Sequence, residues 1–101
     1  MTQDIKDRYI EIIKYQLSQF IEVNKIIIFG SFFKSKNPND IDIAIIQDSD
    51  SNFLTLSLKY RKVLRELAKK IPLDIVPMKK NTDSYFIDEL TNGKVIYEKW
   101  N

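Results

Sequence analysis

Cysteine and histidine are both missing from the 101 residues of this chain. Their absence excludes disulfide frameworks, zinc sites of the usual thiolate and imidazole type, cysteine nucleophiles and every triad that works through an imidazole. Glycine is scarce, with two residues, and proline contributes three. With neither a low-complexity tract nor an evident repeat, disorder is not expected beyond the ends. No apolar run approaches the roughly 20 residues of a bilayer-spanning helix, and Met1-Thr2-Gln3-Asp4 lacks the basic start of a secretory leader. A cytoplasmic protein without a membrane partner is expected. Charge of one sign is not in excess either. A formal net charge of +2 is too slight to point to nucleic acid.

What is present suits a globular domain: 44% of residues are hydrophobic and 30% charged. A chain of this size buries roughly 60–70% of its unfolded surface without staples, so one domain over residues 1–101 is expected. Apolar residues at Ile5, Tyr9, Ile12, Ile13, Leu17, Phe20 and Ile21 predict an amphipathic helix over 4–22 with Asp4 as its N-cap. The β-branched run at 25–29 reads as a buried strand that stops at Gly30-Ser31. Loop signals at 37–39 and 48–52 bracket a second strand. Phe53, Leu56, Tyr60, Val63, Leu64, Leu67 and Ile71 predict a second long helix, closed by Pro72, with the basic residues between Lys59 and Lys70 on its wet face. A short strand at 73–78, a short helix at 84–90 and a last strand at 94–98 complete an α/β (α+β) fold: a small mixed β-sheet of about four strands with helices packed on it.

The second strand is anomalous. It reads Asn39-Asp40-Ile41-Asp42-Ile43-Ala44-Ile45-Ile46, two carboxylates inside an apolar run. Strand alternation puts Asp40 and Asp42 on one face and Ile41, Ile43 and Ile45 on the other. Neighbouring like charges in a buried strand are costly unless a proton or a cation intervenes, and a divalent metal lets both acids stay ionised. A third acid, Asp74, sits in another apolar run. Taken singly, Gly30-Ser31 also fits an ordinary turn, Asp40-x-Asp42 the wet face of an edge strand or a loop entry, and Asp74 a strand start facing water.

In chain order, a strand ending in Gly30-Ser31, a strand carrying Asp40-x-Asp42 and a strand carrying Asp74 resemble the polymerase beta-like nucleotidyltransferase superfamily, in particular its minimal single-domain members. The likeness covers nearly the whole chain, including the ending Asn92-Gly93-Lys94-Val95-Ile96-Tyr97-Glu98. It implies a polymerase beta-like nucleotidyltransferase fold, ATP as substrate, and one or two Mg²⁺ ions held by Asp40, Asp42 and Asp74, with Asp74 able to accept the proton of the attacking hydroxyl. Gly30 and Ser31 would bind phosphate through close backbone approach and free N–H groups at a helix start. Family members usually have an Arg and a further Gly after the Gly-Ser, and a Ser before the Asp pair. Here Phe32-Phe33-Lys34-Ser35-Lys36-Asn37-Pro38-Asn39 stands between them, so Lys34 or Lys36 is the expected phosphate contact. Phe32 and Phe33 are expected in the core or an interface, and Lys79-Lys80 as a cationic pair near the site.

Minimal members are commonly paired with a small helical HEPN-domain protein, in toxin–antitoxin modules where the nucleotidyltransferase transfers AMP to a tyrosine of its partner. The resemblance therefore implies an antitoxin with protein adenylyltransferase activity. A non-catalytic subunit that acts by binding its partner, and transfer to a small molecule or an RNA end, are the alternatives.

Overall fold

The computed structural model describes residues 1–80 and 92–99. The short helix expected at 84–90 lies outside the described residues.

The elements run α1 (Gln3–Leu17), β1 (Val23–Phe29), β2 (Ile41–Gln47), α2 (Phe53–Val63), α3 (Arg65–Ala68), β3 (Leu73–Lys79) and β4 (Lys94–Glu98). The four strands form one mixed sheet in the order β3-β2-β1-β4. β1 is antiparallel to both β2 and β4, whereas β2 and β3 run parallel. A parallel pair needs a crossover, and α2 with α3 supplies it. β2 is thus a central strand, which removes the edge-strand reading of its acids.

The periodic face of α1 delivers Ile13 and Leu17 to the core, which takes Leu56, Tyr60, Leu64 and Leu67 from the α2–α3 segment and Ile26, Ile28, Ile41, Ile43, Ile45 and Ile75 from the sheet. The described helices therefore cover one face, the face to which β2 turns its odd-numbered isoleucines. The residues between them look the other way: Ile27, Ala44 and Met78 form a smaller cluster with Phe29, Ile46 and Val76.

Element ends differ from the periodicity. Thr2, not Asp4, caps α1, its hydroxyl accepting from the Ile5 N–H at 3.2 Å; Asp4 sits in the first turn, where its charge suits the helix dipole. The helix stops at Leu17 rather than 22, because the chain must extend by Val23 to enter the sheet. Turns from Phe20 N–H to the Leu17 carbonyl and from Val23 N–H to the Phe20 carbonyl make that change. Phe20 still reaches the core edge, its ring 5.4 Å from that of Tyr60, but Ile21 is 83% exposed. The second helix is broken at Leu64, whose N–H turns back to the Arg61 and Lys62 carbonyls. Leu64 and Leu67 stay buried across the break, so their spacing does not betray it. Phe53, counted on the apolar face, is exposed. Pro77 lies within β3, which tolerates it as an edge strand.

Candidate active site

Asp42 and Asp74 meet where β2 and β3 begin and β1 ends, with Asp40 just ahead of β2. Asp42 is the register neighbour of Phe29 on one side and of Asp74 on the other. Asp42 and Asp74 therefore stand side by side on the sheet face opposite the described helices. Burial first, then the charges of Asp40 and Asp74, push the Asp42 carboxyl up to about 6. Asp40 stands one residue before the strand, a loop-entry position, and acts on Asp42 by charge. Among the described residues no three acids converge as a ready metal-ligand set.

Gly30 closes the fourth side. Its φ of +74° is left-handed, and a Cβ there would overlap the Asp42 carboxylate oxygen. Only glycine meets both demands. The chain then makes one turn, not the expected helix: the Ser31 carbonyl accepts from the Lys34 N–H at 3.1 Å and from the Ser35 N–H at 2.8 Å. The N–H groups of Ser31, Phe32 and Phe33 donate to no backbone carbonyl among the described residues. Successive free N–H groups after a left-handed residue are the makings of an anion nest.

Behind this turn the loop is anchored. Phe32 is buried, as expected, with Phe33 edge-on at 5.3 Å. The Lys94 ammonium lies 5.3 Å from the Phe33 ring. Ser31 and Lys34 themselves are exposed, and among the described residues no ion pair joins Lys34 to the acids. Lys79 is at the far end of β3, about 16 Å along the strand from Asp74, with its ammonium 3.7 Å from Asp50; the expected Lys79-Lys80 contribution is not beside the carboxylates. The residue that sequence reasoning missed is Lys6, whose ammonium donates to the Ser35 carbonyl at 2.6 Å. Its signal was available: a lysine on the apolar stripe of α1, four residues before Ile10 and seven before Ile13.

The geometry on the page is an acidic pair, Asp42 and Asp74, beside a glycine-led turn on a mixed four-stranded sheet. The sequence profile described as "Polymerase beta, Nucleotidyltransferase" matches residues 11–101. The chain belongs to that family. Its fold is shared with an MNT antitoxin from a complex with the tri-AMPylated HEPN toxin of Shewanella oneidensis, at TM-score 0.65 and 20% identity over 97% of this chain and 74% of that one. A toxin–antitoxin structure with AMP-PNP aligns at TM-score 0.62 and 18% identity, covering 93% of this chain and 73% of that one. A candidate nucleotidyltransferase from Sulfolobus solfataricus aligns at TM-score 0.64 and 17% identity, covering 93% and 84%. These likenesses establish the nucleotidyltransferase fold. No curated protein sequence matches the chain.

Proposed function

We propose that this protein is an ATP- and Mg²⁺-dependent adenylyltransferase that modifies a tyrosine hydroxyl of a small helical HEPN-type partner, and so serves as the antitoxin of a cytoplasmic toxin–antitoxin pair. The carrying observation is the Asp42–Asp74 pair, side by side on adjacent strands with Gly30 of the Gly30–Ser31 turn against the Asp42 carboxylate. Support for the partner comes from the fold neighbours, among them an MNT antitoxin bound to an AMPylated HEPN toxin.

The donor set fits magnesium. All three side chains offer hard carboxylate oxygens, and the charges of Asp40 and Asp74 press on a partly buried Asp42, a repulsion that a divalent cation relieves. Asp40, Asp42 and Asp74 would hold it. When bound, the ion supplies neutralisation of triphosphate charge. The free N–H groups of the Ser31 turn receive phosphate oxygens, and Lys34 adds a cation on the same turn. The tyrosine oxygen attacks the α-phosphorus of ATP, the bond from that phosphorus to the β-bridging oxygen breaks, and pyrophosphate leaves. The tyrosine proton passes to the Asp74 carboxylate. Positioning and charge carry the rest.

The test is transfer of α-phosphate label from ATP to a co-expressed HEPN-type partner. Label on the partner that requires Mg²⁺ and disappears in Asp42→Ala and Asp74→Ala is the expected result. If both variants still neutralise the partner without labelling it, the protein acts by contact alone and the catalytic reading fails.

A further inference from the structure

A lysine occupies a core position of α1. Lys6 is 6% exposed and shares the helix face that carries Ile13 and Leu17 inward. Packing alone would be better served by a hydrocarbon, since taking an ammonium out of water costs several kcal/mol. Among the described residues its charge is met by no carboxylate. It is met by the Ser35 carbonyl at 2.6 Å and by the Phe32 ring, whose centroid is 5.6 Å away. The stem lies along apolar surface while the head reaches a single peptide group.

That peptide belongs to the turn that opens at Gly30. The Ser35 N–H closes onto the Ser31 carbonyl at 2.8 Å, so one residue is held from both ends: its N–H by the turn, its carbonyl by Lys6. Ser35 also steadies the chain beyond it, its hydroxyl accepting from the Asn37 N–H at 3.2 Å. Phe32 lies beneath, touched by the same ammonium. The path from α1 to the carboxylates is therefore short: Lys6, Ser35, the Ser31 turn, Gly30 and Asp42. No exposed arginine or lysine in the loop makes such a contact.

We propose that Lys6 is a positioning residue: it fixes the turn over residues 31–35 so that the N–H groups of Ser31, Phe32 and Phe33 face a triphosphate. The phosphate role rests on the nucleotidyl-transfer reading above, whereas the turn-holding role stands on the contacts alone.

Lys6→Met keeps the apolar stem and removes the ammonium; Lys6→Arg restores a donor. The measurements are hydrogen–deuterium exchange at the Lys34 and Ser35 amides, with the β2 amides as reference, and the affinity of the full chain for a fluorescent ATP analogue in Mg²⁺. Loss of one charge-assisted bond predicts exchange at Lys34 and Ser35 faster by about tenfold in Lys6→Met, with β2 essentially unchanged. Analogue affinity falls by about tenfold, and Lys6→Arg recovers most of both. The exposed Lys62→Met, which also loses one positive charge, changes neither. Uniform acceleration across the sheet, or unchanged exchange at the turn, overturns the proposal. So does unchanged analogue affinity despite a loosened turn. A wild-type chain that binds no analogue refutes the parent reading instead, and the exchange data then decide the turn-holding role by themselves. Should Lys6→Met fold poorly, Lys6→Gln, polar but too short to reach Ser35, takes its place.

Discussion

Asp42 is destabilising in the protein without metal, and that gives it a measurable signature. Its carboxyl ordinarily loses its proton near 3.8, and in the fold it does so at about 6. Between those values the folded form keeps a proton that the unfolded form has released, so stability falls as pH rises through the window and stays lower above it. Asp42→Asn removes this penalty. In thermal unfolding without divalent metal, the variant should be the more stable above pH 6 by about 1 kcal/mol, a figure discounted because the group is only partly buried, or roughly 4–8 °C for a domain of this size. The difference should vanish below pH 4, and labelling of the partner should be lost. Gly30→Ala acts in the opposite sense. A left-handed alanine costs roughly 1–2 kcal/mol, and its methyl displaces the Asp42 carboxylate, so both melting temperature and analogue affinity should drop. At this scale the sequence was informative about Asp42 and Asp74, because an acid in an apolar strand stands out without any contact information. It was less so for Gly30, whose constraint comes from a side chain twelve positions later. Lys6 stood on the apolar stripe that the spacing predicts, but the stripe does not say which carbonyl its ammonium reaches, since Ser35 lies 29 residues away.

Elements are tied together by a different kind of acid. Glu22, in the turn between α1 and β1, accepts from Lys59 and from the Tyr60 hydroxyl of α2. Burial alone would raise its carboxyl, but the bonds from Lys59 and Tyr60 leave it below its ordinary 4.5. Burial and the neighbouring Glu22 hold the Tyr60 hydroxyl well above the usual tyrosine range. The sign is the reverse of that for Asp42: Glu22 stabilises fully above its ordinary value, and the contribution is lost as pH falls through the lower folded value. Glu22→Gln should cost about 1 kcal/mol at pH 7 and progressively less as pH falls below 4.5, measured by urea unfolding across that range. Core strands are less forgiving. Ile43→Ala, at a fully buried position of β2, should cost about 2–5 kcal/mol in the same assay. The order of α and β elements was legible from periodicity, since each long face or β-branched run corresponds to an element. Their ends were not. The stop of α1 at Leu17 is imposed by the strand that Val23 must join, and the break at Leu64 keeps both flanking leucines buried, so neither leaves a trace in the pattern.

At the scale of the whole molecule, the sheet divides labour between its faces. One buries isoleucines under the helices, and the other carries the acids at the strand starts, beside a smaller apolar cluster. The parallel β2–β3 pair is what places Asp42 and Asp74 side by side, a juxtaposition across a crossover of about thirty residues that spacing alone cannot give. Family membership over residues 11–101 joins this geometry to nucleotidyl transfer. If the carboxylates hold Mg²⁺, the ion should raise the melting temperature of the wild-type chain through linkage and leave Asp42→Asn unmoved. The most direct measurement is a crystal structure with Mg²⁺ and a non-hydrolysable ATP analogue. The account predicts the triphosphate on the Gly30–Ser31 turn, with metal density against Asp42 and Asp74 and within reach of Asp40. An analogue bound elsewhere, or seated on the turn with no metal at the three carboxylates, would contradict it.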